Sequence, residues 1–152
     1  MALRKPVHLD LASARQLLVA RKDLGGRVLE WEAIALSKGA RTGGERMRFE
    51  VDVLGTRLVV LARTNGRGGH QYILRPAVGP GNLARLCDDS AHAHQLHWHW
   101  FEDMPDLTEE RSELSPQQTG GPTADATTLF IEFFAAELNF VPGSYTIQET
   151  LI

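Results

Sequence analysis

Within Glu45–Leu54, the apolar residues Met47, Phe49, Val51 and Val53 alternate with Arg46, Arg48, Glu50 and Asp52. A period of two places one face of an extended strand on a core and the other in solvent. Gly55-Thr56 marks a tight turn, and Arg57–Arg63 returns as an apolar strand through Leu58-Val59-Val60-Leu61. Asn65-Gly66 opens a second turn, because this pair tolerates the positive φ that hairpins need, and His70–Arg75 follows as a third strand. Pro76, Gly79, Pro80 and Gly81 make a rigid connection to a short strand, Asn82–Cys87, and His92–Glu102 is predicted as the next.

Helical periodicity appears at the two ends. Asp10 is placed to cap a helix over Leu11–Lys22, where Leu11, Ala14, Leu17, Leu18 and Arg21 recur at helical spacing and Gly25-Gly26 stops the run. Near the C-terminus, Thr123 or Asp125 caps a helix over about Ala126–Asn139. Leu129, Phe130, Phe133, Phe134 and Leu138 give it a broad apolar face. Arg27–Leu36 is read as a strand, Lys38–Glu45 as a loop, and Tyr145-Thr146-Ile147 as an edge strand or coil. The expected fold is α+β: an antiparallel meander of four to six strands, with an N-terminal helix and a C-terminal helix packed on one sheet face. The whole chain, 1–152, is expected to form a single domain, with a polar, acidic and lid-like segment at 103–123.

Composition narrows the classes of function. No apolar run is long enough to span a bilayer, and Met1–Leu9 lacks the apolar stretch of a secretory signal, so a cytoplasmic setting without membrane attachment is expected. Cys87 is the single cysteine, which excludes an internal disulfide framework and a cysteine-based zinc knuckle. The net charge of −3 conceals an asymmetry, with +7 in residues 1–76 and −10 in residues 77–152. Sequence halves are not spatial halves, so compensation within one fold is the simpler reading.

The most unusual composition lies in His92–Phe101, which holds four of the six histidines and two of the three tryptophans. On one continuous strand, His92, His94, Leu96, Trp98 and Trp100 share a face, and Ala93, Gln95, His97, His99 and Phe101 share the other. A strand His-x-His pair sets two imidazoles side by side, able to chelate a divalent transition metal when a third ligand is near. His92, His94, His97 and His99 are therefore the candidate metal ligands, with His70, Asp88, Asp89, Glu102 and Asp103 available to complete a site. His92-x-His94-x-x-His97 is similar in spacing to the first metal motif of metallo-β-lactamase-like hydrolases. Leu96 stands where that family has aspartate, and the chain is too short for that fold, so no activity is carried over.

Three functional readings follow. The first is a small protein-binding or regulatory module, or a self-associating one. Its contact residues would be Trp98, Trp100, Glu109 and Glu110, tryptophan being favoured at interface hot spots. The second is a histidine-ligated metalloprotein, in its catalytic form a metal-dependent hydrolase. The third is a nucleic-acid binder using a basic sheet face of Arg46, Arg48, Arg63 and Arg75. Glu50 and Asp52 share that face, and cross-strand arginine–carboxylate pairs would account for the arginines without a ligand. No catalytic constellation is recognised. A nucleophile made of Cys87 with His92 or His94 is the weaker alternative to Cys87 as a small buried apolar residue.

The order Arg48-Phe49-Glu50-Val51-Asp52-Val53, then Tyr72-Ile73-Leu74-Arg75, then His92-Ala93-His94, then a helix ending Leu138-Asn139 resembles a group of small bacterial proteins found near mobile elements and toxin–antitoxin loci. In that group the His-x-His is usually followed by a tyrosine strand, whereas Gln95 and Leu96 intervene in this chain. The resemblance implies a prokaryotic or phage setting and no particular activity.

Overall fold

The computed structural model describes residues 9–33, 44–64, 69–88, 96–104 and 125–148. In chain order the elements are helix α1 (Leu11–Val19), β1 (Arg27–Glu30), β2 (Glu32–Ala33), β3 (Glu45–Val53), β4 (Thr56–Thr64), β5 (His70–Pro76), β6 (Asn82–Cys87), β7 (His97–Glu102), helix α2 (Ala126–Leu129, continuing as a π-helical stretch over Phe130–Ala135) and β8 (Tyr145–Gln148). Strands β2 to β7 form one antiparallel sheet in sequential order, and β1 pairs in parallel with β8 in a separate two-stranded sheet.

The α+β architecture expected from the periodicity is the observed one. The alternating run of β3 buries Met47, Phe49, Val51 and Val53, while Arg46, Arg48 and Asp52 are exposed. In register with them, Val60, Ala62 and Leu58 of β4 and Leu74 and Tyr72 of β5 extend the apolar face. The C-terminal helix covers this face with phenylalanines. Phe134 lies 5.8 Å from the Tyr72 ring, 5.5 Å from Phe130 and 6.4 Å from Phe140. Such aromatic pairs combine large buried area with edge and offset-stacking contacts. The Tyr72 hydroxyl donates to Ala126 O at 2.7 Å and pins the helix start to the sheet.

The elements differ from expectation at their ends. Helix α1 has the predicted Asp10 cap, which accepts from Ser13 N at 2.7 Å, but it stops at Val19 instead of Lys22. Lys22 has left the helix to bridge Phe140, its backbone N–H donating to Asn139 O and its carbonyl accepting from Val141 N, both at 2.8 Å. Its ammonium is buried and donates to Leu18 O (2.9 Å), Ala20 O (3.0 Å) and Leu138 O (2.6 Å). One cation thus satisfies carbonyls at the C-terminal ends of both helical segments, where the helix dipole favours positive charge.

The predicted Arg27–Leu36 strand divides around buried Trp31 into β1 and β2, because the two halves pair with different partners. The Trp31 indole N–H donates to Thr127 Oγ1 at 3.0 Å and ties this junction to α2. The C-terminal tail is strand β8. The expected loop at 38–45, the Asn65-Gly66 turn and the segment 103–123 lie wholly or largely outside the described residues, as do His92 and His94.

Candidate metal centre

Strands β6 and β7 pair antiparallel, with Cys87 opposite His97, Leu86 opposite Trp98, Arg85 opposite His99 and Ala84 opposite Trp100. Directly opposite residues in a sheet share a face, so this register sorts the side chains into two sets. Leu86, Trp98, Ala84 and Trp100 turn towards the helix. Trp98 is buried, stacks on Phe134 at 5.9 Å and carries Trp100 stacked against it at 4.8 Å. Trp98 is therefore a core residue rather than the partner-facing residue expected of it, and Trp100 is its half-buried neighbour. Glu109 and Glu110 of the same expected surface lie outside the described residues.

The other set, Cys87, Arg85, His97 and His99, shares the opposite face. Cys87 Sγ lies 3.2 Å from His97 Nε2. The His97 and His99 rings stand with centroids 4.7 Å apart. One ligand atom from each of Cys87, His97 and His99 lies within 4.8 Å of the others. Cys87 and His97 are buried and His99 is half-buried. A tetrahedral zinc ion with Zn–S of about 2.3 Å and Zn–N of about 2.0 Å separates its ligand atoms by roughly 3.3–3.6 Å. The Cys87–His97 distance falls just short of that range, and His99 needs a shift of roughly an ångström to reach it. A thiolate with two imidazoles is a donor set for borderline-soft ions, zinc foremost.

Arg85 and Glu102 complete the surroundings. The guanidinium grips Glu102 in a two-pronged pair, Nε to Oε1 at 2.6 Å and Nη2 to Oε2 at 2.7 Å, while Nη1 donates to Cys87 Sγ at 3.2 Å. The guanidinium thus places a cationic donor directly on the sulfur. Glu102 Oε2 lies 3.8 Å from His99 Nδ1, beyond hydrogen-bond reach. Burial alone would raise the Glu102 carboxyl, but the hydrogen bond and charge of Arg85, with help from Asn82 and His99, hold it below the ordinary carboxylate range.

Strict alternation would send Glu102 to the tryptophan face. Phe101 prevents that by taking a left-handed conformation, φ 53°, an uncommon state for a large side chain. Its ring joins the apolar core instead of standing beside His97 and His99 as the simple period predicts. Gly81 makes room for this turn. With φ +91°, it sits where a Cβ would come within 2.6 Å of Glu102 O and 2.9 Å of Asp103 O.

The candidate ligands from sequence thus divide. His97 and His99 come together, joined by Cys87. His92, His94 and Asp89 lie outside the described residues. His70 and Asp88 bind each other: Asp88 Oδ2 is 2.8 Å from His70 Nδ1, and Asp88 Oδ1 accepts from the His70 backbone N–H at 2.6 Å. Asp103 is exposed. The His92 and His94 partners expected for a Cys87 nucleophile lie outside the described residues; Cys87 itself contacts His97, on a sulfur too buried for ready attack on a substrate.

The missed ligand is Cys87. The observed register, with Asn82 opposite Glu102, is what sets it opposite His97.

The basic face is as mixed as its sequence. Arg57 pairs with Asp52 (3.0 Å) and Glu50 (3.5 Å), Arg48 with Glu50 (3.3 Å) and Arg46 with Glu32 (3.9 Å). Arg63 and Arg75 project from the same face and are exposed.

No protein-family model matches the chain, and comparisons with curated proteins and with solved structures returned no match either. Among the described helices, none is long and apolar enough to cross a membrane.

Proposed function

We propose that this chain is a metal-binding protein that holds one borderline-soft transition-metal ion, zinc before others, through Cys87, His97 and His99. The convergence of a buried thiol and two imidazoles within 4.8 Å carries the reading. Cys87 and His97, both buried, and the half-buried His99 would be the residues that hold the ion. When bound, such an ion would supply Lewis acidity.

The chain's own residues serve retention better than turnover. Arg85 donates to the Cys87 sulfur and would offset the charge of a metal-bound thiolate. Glu102 is in turn locked by both prongs of Arg85, so it is poorly placed to shuttle protons as a general base. The proposed role is therefore metal binding, structural or regulatory, ahead of metal-dependent hydrolysis.

The test is elemental analysis of untagged protein purified without chelators, joined to thermal-shift titration with Zn²⁺ and to Co²⁺ substitution. About one equivalent of metal, a raised melting temperature and a thiolate-to-cobalt charge-transfer band are expected. His97→Ala and Cys87→Ser should each abolish the band. Less than about half an equivalent of any transition metal, with no shift on adding Zn²⁺, overturns the reading.

A further inference from the structure

Strands β2, β3 and β4 set a row of charges on the sheet face away from the helices. Arg63 stands directly opposite Arg46, and Arg46 directly opposite Glu32. Like charges side by side on neighbouring strands repel, so the Arg63–Arg46 neighbours favour an anion between them. The row borders a cleft of about 700 Å³, which Val28 and Glu30 of β1 and Leu61 of β4 also line. Further along the same face the charges are paired, Arg48 with Glu50 at 3.3 Å and Arg57 with Asp52 at 3.0 Å. Those at the ends of the cleft are not. Among the described residues, the Arg63 guanidinium and the Glu30 carboxylate have no hydrogen-bond or ion-pair partner. Arg46 and Glu32 meet only at 3.9 Å, with side chains 61% and 67% exposed, a pair weak enough to open for a ligand.

We infer that this cleft binds a small zwitterion of dipeptide size with an apolar body. Its carboxylate sits on Arg46 and Arg63, its ammonium on Glu30 and Glu32, and its side chains against exposed Val28 and half-buried Leu61. Charge of both signs selects this occupant. A phosphate or an acidic chain would meet Glu30 and Glu32, and a polyamine would meet Arg46, Arg48 and Arg63. A ligand with one charge of each sign turns both sets to use, and guanidinium–carboxylate contacts supply the stronger end. Length agrees as well. Arg63 and Glu32 stand two strand spacings apart, roughly 10 Å. The termini of an extended dipeptide are about 7 Å apart, within reach of both sets of side chains. No main-chain pairing is needed, so the closeness of β1 to β3 is no obstacle.

The site is independent of the metal reading and is tested on the full chain with or without metal. The probes are valyl-valine, its N-acetylated form, its C-amidated form, free valine, inorganic phosphate and the diamine putrescine, each titrated against the amide NMR spectrum of the protein. Valyl-valine is expected to saturate with a Kd of about 1 mM or below, shifting the amides of β1 and of Arg46 and Arg63. Arg63 and Glu30 are exposed, so Arg63→Gln and Glu30→Gln leave the fold in place. Arg63→Gln should weaken valyl-valine about fivefold and leave the amidated form unaffected, and Glu30→Gln should do the same with the acetylated form, the size expected of exposed ion pairs. The inference is overturned if valyl-valine shows no saturation up to about 10 mM, if neither blocking group weakens it, or if neither substitution does. Tighter binding of free valine, phosphate or putrescine than of valyl-valine also overturns it.

Discussion

Replacing Lys22 with methionine tests how the two helical segments are joined. The ammonium is 1% exposed and serves three carbonyls. Methionine fills similar space but donates nothing, so Leu18 O, Ala20 O and Leu138 O lose their charged donor. Each orphaned group costs about 1–3 kcal/mol. Set against this, the substitution removes the cost of burying a charge. That cost lowers the Lys22 pKa from 10.5 to about 8, a difference worth roughly 3 kcal/mol. Three such losses, about 3–9 kcal/mol, less that cost leave a net loss of up to about 6 kcal/mol at neutral pH.

The pH dependence identifies the cause. Above about pH 8 the folded protein releases this proton, while the unfolded chain keeps it up to 10.5. The unfolded state then binds more protons, so stability rises with pH through that window, by about 2 kcal/mol near pH 9.5. Higher pH is less informative, because burial raises the Tyr72 phenol and stability falls where an unfolded tyrosine ionises first. Denaturant unfolding followed by circular dichroism at pH 7 and near pH 9.5 should show the wild type gaining on Lys22→Met. Parallel stabilities at the two pH values, or a variant clearly more stable than the wild type at pH 7, would refute the reasoning.

Phe134→Ala should cost about 3–5 kcal/mol in chemical denaturation, since this fully buried ring contacts Tyr72, Trp98, Phe130 and Phe140; a loss under about 1 kcal/mol would mean that the helix does not seat on the sheet as described. Burial pushes the Asp88 carboxyl up, but hydrogen bonds from the His70 ring and backbone outweigh it and hold the group below its ordinary 3.8. Its contribution is therefore present above that value and lost as pH falls through the lower folded one, so the stability gap between wild type and Asp88→Asn should narrow from about pH 5 to about pH 2, and a constant gap would contradict this. Arg85→Met should weaken Zn²⁺ binding by roughly 10–100-fold, read by chelator competition, because it strips the sulfur of its cation and frees Glu102; unchanged affinity would show that Arg85 serves only the fold.

How much of this was legible beforehand varies by element. The alternation in β3 predicted its buried face residue by residue, because a half-buried strand must repeat every second position. The same period separated His97 and His99 from Trp98 and Trp100. It failed at Phe101, where a left-handed residue turns Glu102 back towards Arg85. A single backbone dihedral of that kind leaves no mark in a hydrophobic pattern.

What the chain by itself determined is the local repertoire: the strands and their faces, the Asp10 cap, and a phenylalanine helix in search of a sheet, capped by Thr123 or Asp125 in the sequence and by Asp125 in the structure. These depend on neighbours within a few residues. Only the tertiary structure decided that Cys87 faces His97, that β1 pairs with β8 instead of lengthening the main sheet, and that Lys22 is buried between two helix ends. Those outcomes depend on register and on contacts between residues as far apart as Lys22 and Leu138. The candidate metal centre belongs to this second kind: the periodicity named two of its ligands, and strand pairing supplied the third.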